Sequence, residues 1–254
     1  MFNKEIIEVL KNLKNNFGAA ALKASFEDEG VTNEDLVDLI LLSGRADIPV
    51  MVKIGGCEAN SDIEKCIRHG VSGLVAPMVE STFAVSKFLD SVESRLENND
   101  LKVFVNFETV NACKNSKKIL DTHSQRLDGI VVGRSDLSKS MGLGKKNVDD
   151  NVVIELVSSA LKEAKKHNLT TTMGGTISTK SVSNIKKLYK AGLLDKFETR
   201  AVVFNLHKID LEKIESAISM SLKYEQQLLK ARMLFHEKKA DFFRNRIQNI
   251  EKRK

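Results

Sequence analysis

The chain predicts an α/β fold of the (β/α)8 TIM-barrel type with a long C-terminal helical extension, and three observations carry that reading. Short apolar, β-branched runs alternate with helical segments from Ala19 to Phe204. Seven such units are evident, a spacing that suits a closed barrel better than an open sheet. The 254 residues hold only two prolines, Pro49 and Pro77, and no Ser/Gly-rich stretch, so nothing forces a second core. The expected division is a barrel domain over 1–208 and a helical extension over 209–254.

The opening MFNKEIIEVLKNLKNN reads as an amphipathic helix. Its charges exclude the apolar core of a secretory signal, and no later run reaches membrane-spanning length, so a soluble cytoplasmic protein is expected. Ala19 to Phe26 reads as the first strand, running into the acidic cluster Glu27-Asp28-Glu29. Thr32 is placed to cap a helix over 33–43. The second strand, Pro49 to Ile54, ends in Gly55-Gly56-Cys57-Glu58. A helix over 62–69 leads to the strand Ser72 to Ala76, then Pro77-Met78-Val79-Glu80 and a helix from Ser81.

Two further strands, Val103 to Phe107 and Gly129 to Val132, flank a helix over 110–121 and end in Glu108 and in Arg134-Ser135-Asp136. A helix over 149–167 precedes the strand Thr170 to Met173 with Gly174-Gly175-Thr176, and the last strand is expected over Thr199 to Phe204. Beyond Asp210 only helical apolar spacing remains, at Leu222, Leu228, Leu229, Met233, Phe243 and Ile247, which suits packing against a partner subunit.

The formal charge of +6 is local. Residues 221–254 hold ten Lys and Arg against four Asp and Glu, which accounts for the whole excess. A basic solvent face on a terminal helix explains this more simply than nucleic-acid binding. Three cysteines, Cys57, Cys66 and Cys113, have no metal-type CxxC spacing, which speaks against a disulfide framework or a structural zinc.

Right-handed crossovers place all strand C-terminal ends on one edge, where ligands of such proteins sit. The residues gathered there are Glu27, Asp28 and Glu29, Lys53 and Glu58, Glu80, Glu108, Arg134 and Asp136, and Thr176. Hard carboxylates without paired His or Cys suit Mg²⁺ or Mn²⁺ better than zinc. Such an ion would chelate a 2-oxo acid and hold enolate charge. Each residue also has a structural reading: Asp136 could cap a turn, and Lys53 could pair with Glu58 or Glu27 instead of a substrate carboxylate. Gly55-Gly56 and Gly174-Gly175 allow close approach of an anionic ligand but also make ordinary tight turns. The five histidines fall away from this edge, so no Ser-His-Asp arrangement can be built.

Val75-Ala-Pro-Met-Val79, Phe107-Glu-Thr109 and Asp128-Gly-Ile-Val-Val-Gly-Arg-Ser-Asp-Leu-Ser138 resemble the HpcH/HpaI aldolase and citrate lyase β-subunit family, over about Leu22 to Phe204. The resemblance implies a phosphoenolpyruvate/pyruvate-type barrel, a divalent metal on Glu108 and Asp136, and chemistry through a pyruvate or acetyl-CoA enolate. The family's substrate-anchoring Arg falls where this chain has Lys53, and its catalytic His falls on Glu27-Asp28-Glu29. Family barrels have a strand before the first one seen here, where this chain reads as a helix. Lys23-Ala-Ser-Phe-Glu-Asp-Glu-Gly30, Lys53-Ile-Gly-Gly-Cys-Glu-Ala59 and Phe197-Glu-Thr-Arg200 resemble a distinct branch, linked by analogy to sugar acids.

The expectation is a Mg²⁺- or Mn²⁺-dependent class II aldolase or carbon–carbon lyase, a homo-oligomer through its C-terminal helix. It would act on a 2-oxo acid, through a pyruvate enolate, or on its aldol adduct, a sugar acid among the candidates, with an aldehyde or thioester co-substrate. Glu108 and Asp136 would hold the metal, and Lys53 and Arg134 would anchor the acid. Glu27 or Glu29 would order water or act as base, and Gly55, Gly56, Glu58, Gly174 and Gly175 would line the substrate. A citryl- or malyl-CoA-type lyase and a non-catalytic barrel acting as an assembly subunit are the rivals.

Overall fold

Apolar residues at helical spacing give each outer helix one face to bury, and β-branched runs supply the strands between them. In the computed structural model, which describes residues 4–27, 30–96 and 100–253, these elements close into an eight-stranded barrel. The order is α1 (Lys4–Phe17), β1 (Ala19–Ser25), α2 (Asn33–Ala46), β2 (Val50–Lys53), α3 (Asn60–Arg68), β3 (Gly73–Ala76), α4 (Thr82–Glu93), β4 (Lys102–Phe107) and α5 (Val110–His123). It continues with β5 (Gly129–Gly133), α6 (Arg134–Ser140), α7 (Asn151–Lys166), β6 (Thr170–Gly174), α8 (Val182–Lys190), β7 (Lys196–Glu198), β8 (Val202–Asn205) and α9 (Ile214–Glu251).

The main core lies between strands and helices. Leu22, Val52, Leu74, Val105, Ile130 and Phe197 face outward from the strands and are 0% exposed. Each such side chain contributes about 1.5–3 kcal/mol by leaving water. Helix starts are fixed locally: Thr32 Oγ1 accepts from Asp35 N at 3.2 Å while Asp35 Oδ2 accepts from Thr32 N at 3.1 Å, the reciprocal capping box anticipated at Thr32.

The last part of the barrel departs from the expected single strand over 199–204. Residues 196–205 form two strands, β7 and β8, joined by a tight turn, and β8 runs antiparallel to both β7 and β1. The turn has no Gly or Pro to announce it. Thr199 makes it instead, its N donating to Val202 O at 2.9 Å and its Oγ1 accepting from Val202 N at 3.2 Å. Ser221 on α9 meets that same hydroxyl at 2.6 Å. The reversed β8 takes the eighth barrel position, while the N-terminal segment is helical as anticipated.

Helix α9 has 38 residues. Its first turns bury Ile214, Ala217, Ile218, Ser221, Tyr224 and Leu228, packing beside α1. Further along, Leu229, Met233, Leu234, Phe235, Phe242, Phe243, Ile247 and Ile250 are 45–66% exposed. Among the described residues no helix is long and apolar enough to cross a membrane.

Candidate active site

Strand alternation decides which side chains enter the barrel. Val75, Phe104 and Val131 form a small cluster with Met51, separate from the main core, and mark the inward register. Strand pairing puts Lys23 opposite Met51, Ser25 opposite Lys53, Asn106 opposite Val131, and Gly133 opposite Gly174. Lys23, Lys53, Asn106 and Glu198 therefore point inward, and Glu108 follows Asn106 by the same two-residue step.

Lys53 ends β2 and is 4% exposed. Its Nζ lies 2.6 Å from Glu27 Oε2, at the turn after β1, and 3.1 Å from Glu108 Oε2. Burial works against this charge, but the Glu108 and Glu27 carboxylates outweigh it and raise the pKa to about 12. Lys53 is thus a fixed ammonium. Its structural partner is Glu27, while Glu58 pairs with Lys87 at 2.8 Å on the outer rim. Glu29 lies outside the described residues.

Glu108 follows β4 and is 2% exposed. Oε2 accepts from Lys53 Nζ and, at 2.7 Å, from Asn106 Nδ2; Oε1 accepts from Met78 N at 2.8 Å. Met78 reaches this position in the left-handed region, φ +52°, where a non-glycine side chain is strained. Burial raises the Glu108 carboxyl, against the lowering by Lys53 and the Met78 N–H. A carboxylate offers about four lone-pair positions, so three donors leave one, on Oε1. Asn106 Oδ1, buried beside it, has no hydrogen-bond partner among the described residues.

Asp136 lies on the first turn of α6, three residues past Gly133, which ends the strand that pairs with β4. Its Oδ1 accepts from Lys139 at 2.8 Å. The structure thus brings Glu108 and Asp136 to the ends of hydrogen-bonded neighbours. The donor set fits a hard ion: Glu108 Oε1, Asp136 and the unpartnered Asn106 Oδ1 are all oxygens, as Mg²⁺ and Mn²⁺ prefer. A different group that could hold an ion, Asp121, Glu163 and His167, sits in the last turns of α5 and α7, at the opposite end of the barrel. There Lys117 pairs with Asp121 and Lys166 with Glu163.

Arg134 is corrected by the structure. It is 0% exposed, and all five of its N–H groups have protein acceptors. Nε donates to Gly174 O at 3.1 Å, Nη1 to Val148 O and Asp149 Oδ1, and Nη2 to Gly175 O at 3.0 Å and Ser181 Oγ at 3.2 Å. It clamps the β6–α8 loop and does not reach the mouth as a carboxylate anchor.

The glycines separate by surroundings. Gly55 N donates to Asp62 Oδ2 at 3.0 Å, whereas a Cβ at Gly56 would meet nothing within 4 Å. A Cβ at Gly175, φ +82°, would lie 2.5 Å from the backbone N of Arg134 and Ser135, and one at Gly174 would lie 2.8 Å from Glu198. Packing against the protein accounts for this second pair. Thr176 holds α6 through Ser135, hydroxyl to hydroxyl at 2.8 Å. Glu80 accepts from Thr109 Oγ1 and Asn111 and serves to fix the start of α5.

Four residues of the mouth are not among the strand-end residues that the sequence points to: Lys23, Asn106, Met78 and Glu198. Lys23 Nζ donates to Glu198 Oε1 in a second, partly buried ion pair. The available signal was Lys23 itself, a lysine interrupting the apolar strand Ala19–Ser25.

Comparison with protein-family models matches HpcH/HpaI aldolase/citrate lyase over residues 32–185, more than half of the chain. Comparison with curated protein sequences gives no significant match. Among solved structures, an HpcH/HpaI aldolase from Desulfitobacterium hafniense DCB-2 superposes with a TM-score of 0.62 at 14% identity, covering 88% of each chain. A HpcH/HpaI aldolase/citrate lyase family protein from Burkholderia cenocepacia J2315 gives 0.62 at 15% identity, covering 87% of this chain and 90% of its own. The citrate synthase SbnG gives 0.59 at 20% identity, covering 87% and 89%. At these identities the structural likeness is one of fold.

Proposed function

Because the chain belongs to the HpcH/HpaI aldolase/citrate lyase family, we propose that it makes or breaks a carbon–carbon bond beside a 2-oxo acid, with Mg²⁺ or Mn²⁺ held by Glu108 and Asp136. The observation that carries this reading is the state of Glu108. Three donors fix it in one pose at the barrel mouth, one lone pair of Oε1 is left over, and beside it lies a buried oxygen, Asn106 Oδ1, without a partner among the described residues. When bound, the ion supplies Lewis acidity for the charge of the enolate.

The chain's own residues do the rest. Lys53, held between Glu27 and Glu108, gives the substrate carboxylate a fixed positive charge to meet, as a point contact and not a bidentate clamp. The Met78 N–H and the Asn106 amide keep Glu108 from rotating, so its remaining acceptor position is pre-aimed. The outer half of α9, with its exposed apolar residues, is read as a contact between copies of the chain.

Proton NMR of pyruvate in deuterated buffer tests the proposal. Loss of the methyl signal with Mg²⁺ or Mn²⁺, stopped by chelator and absent in Glu108→Gln, is expected. Exchange that survives in Glu108→Gln would remove the assignment of that residue.

A further inference from the structure

Glu198 ends β7 on the inward register and is 4% exposed. Lys23 donates to its Oε1, and among the described residues no other group hydrogen-bonds to it. A Cβ placed on Gly174 would lie 2.8 Å from Glu198 Cγ and Oε1, and one placed on Gly133 would lie 2.9 Å from Glu108 Oε2. Gly133 and Gly174 are direct partners on strands that run ~4.8 Å apart. Glu108 from β4 and Glu198 from β7 therefore lie over two adjacent glycines, and the missing Cβ atoms make room for the two carboxyl groups to enter the mouth side by side.

Resting on the lyase reading of this mouth, we infer that Glu198 is a catalytic residue that moves the proton of the reaction, on a small 2-oxo acid held at the mouth beside Glu108. Two comparisons separate it from the other carboxylates. Glu108 receives three donors and serves as a fixed acceptor. Glu27 has a side chain 31% exposed and turned to Lys53. Glu198 is as buried as Lys53 but has one partner, on Oε1, which leaves Oε2 to take and return a proton. Lys23 positions it.

In the condensing direction Glu198 Oε2 takes a proton from the carbon next to the keto group, and the C–H electron pair enters the enolate. The enolate carbon then bonds the carbonyl carbon of an aldehyde. The aldehyde oxygen gains the π pair and receives the proton back from Glu198. Cleavage runs the same steps in reverse, so one carboxylate serves both directions and is restored at each turnover.

The test is calorimetric titration of the full chain with oxalate, a planar dianion resembling the enolate, in the presence of Mn²⁺ and in buffers of different ionisation enthalpy. Binding by the unaltered protein is expected to take up about one proton, and Glu198→Gln to bind oxalate with none, because the group that must be protonated beside an enolate is then absent. Glu198→Asp, which keeps the carboxyl, should restore uptake. Mn²⁺ and oxalate binding without proton uptake, or uptake that persists in Glu198→Gln, would overturn the role of Glu198 and leave the lyase reading standing. No binding of Mn²⁺ and oxalate by the unaltered protein would overturn both.

Discussion

Lys53 Nζ lies 3.1 Å from Glu108 Oε2, with the two residues 4% and 2% exposed. Charges this deep hold each other in place, and removing one leaves the other buried without compensation, at a cost of about 3–5 kcal/mol. Lys53→Met should therefore lower the unfolding free energy by that amount in urea denaturation. Lys53→Met combined with Glu108→Gln should recover much of the loss, because the orphaned charge is gone. Strictly additive losses in the double variant would show that the pair is not coupled.

The glycine pair gives a sharper contrast. A Cβ at Gly133 or Gly174 would come within 3.0 Å of a mouth carboxylate, while one at Gly56 meets nothing within 4 Å. Gly133→Ala and Gly174→Ala should each lower pyruvate deuterium exchange at least ~10²-fold through displaced carboxylates, while Gly56→Ala leaves it near the unaltered rate. Equal effects at all three positions would refute the placement of Glu108 and Glu198 over the glycines.

The barrel was legible in the sequence, and Glu108 and Asp136 stand out there as candidates, because both follow from local pattern: an apolar run ends, and a carboxylate stands just past it. Arg134 misled for the same reason. It stands past a strand end too, but its long side chain turns back under the β6–α8 loop, which position alone does not reveal. Glu198 is hidden by the β7–β8 turn, since Thr199 makes a hairpin without Gly or Pro and β7 starts three residues before the strand expected from the sequence. Lys23 and Lys53 each reach across one intervening strand to their glutamates, and such side-chain reach has no signature in spacing.

Arg134 leads to a test of its corrected role. With Asp149 its ionic partner and four further acceptors around it, Arg134→Met should cost about 3–5 kcal/mol in denaturation. Arg134→Lys should remain destabilised by more than 1 kcal/mol, since a lysine cannot reproduce the planar fork. Either variant that retained full stability with a raised KM for the 2-oxo acid would return Arg134 to the role of substrate anchor.

Asp195 sets an acid limit on stability at the other end of the barrel. Burial works against its charge, but Lys165, the Thr171 N–H and His207 outweigh it and hold its pKa at about 2 instead of 3.8. A carboxyl that ionises more easily when folded adds stability above pH ~4, and that contribution is lost as the pH falls toward about 2. Asp195→Asn should flatten the fall of the thermal midpoint across that window. Parallel curves for the two proteins would contradict the assignment.

Helix α9 carries the last expectation. Leu229, Met233, His236, Ala240, Phe243, Ile247 and Ile250 recur at alternating spacings of three and four, so they line one seam of the helix. Phe243 and Ile247 are 52% and 55% exposed, and side chains of that size left in water favour covering the seam by another copy. Phe243→Asp with Ile247→Asp places two carboxylates on the seam without touching the barrel core. In light scattering after gel filtration the unaltered chain should have a multiple of the monomer mass and the double variant the monomer mass, with circular dichroism unchanged. A monomeric unaltered chain would sink the reading of α9 as a contact between copies, and a double variant that kept the larger mass would place that contact elsewhere on the molecule.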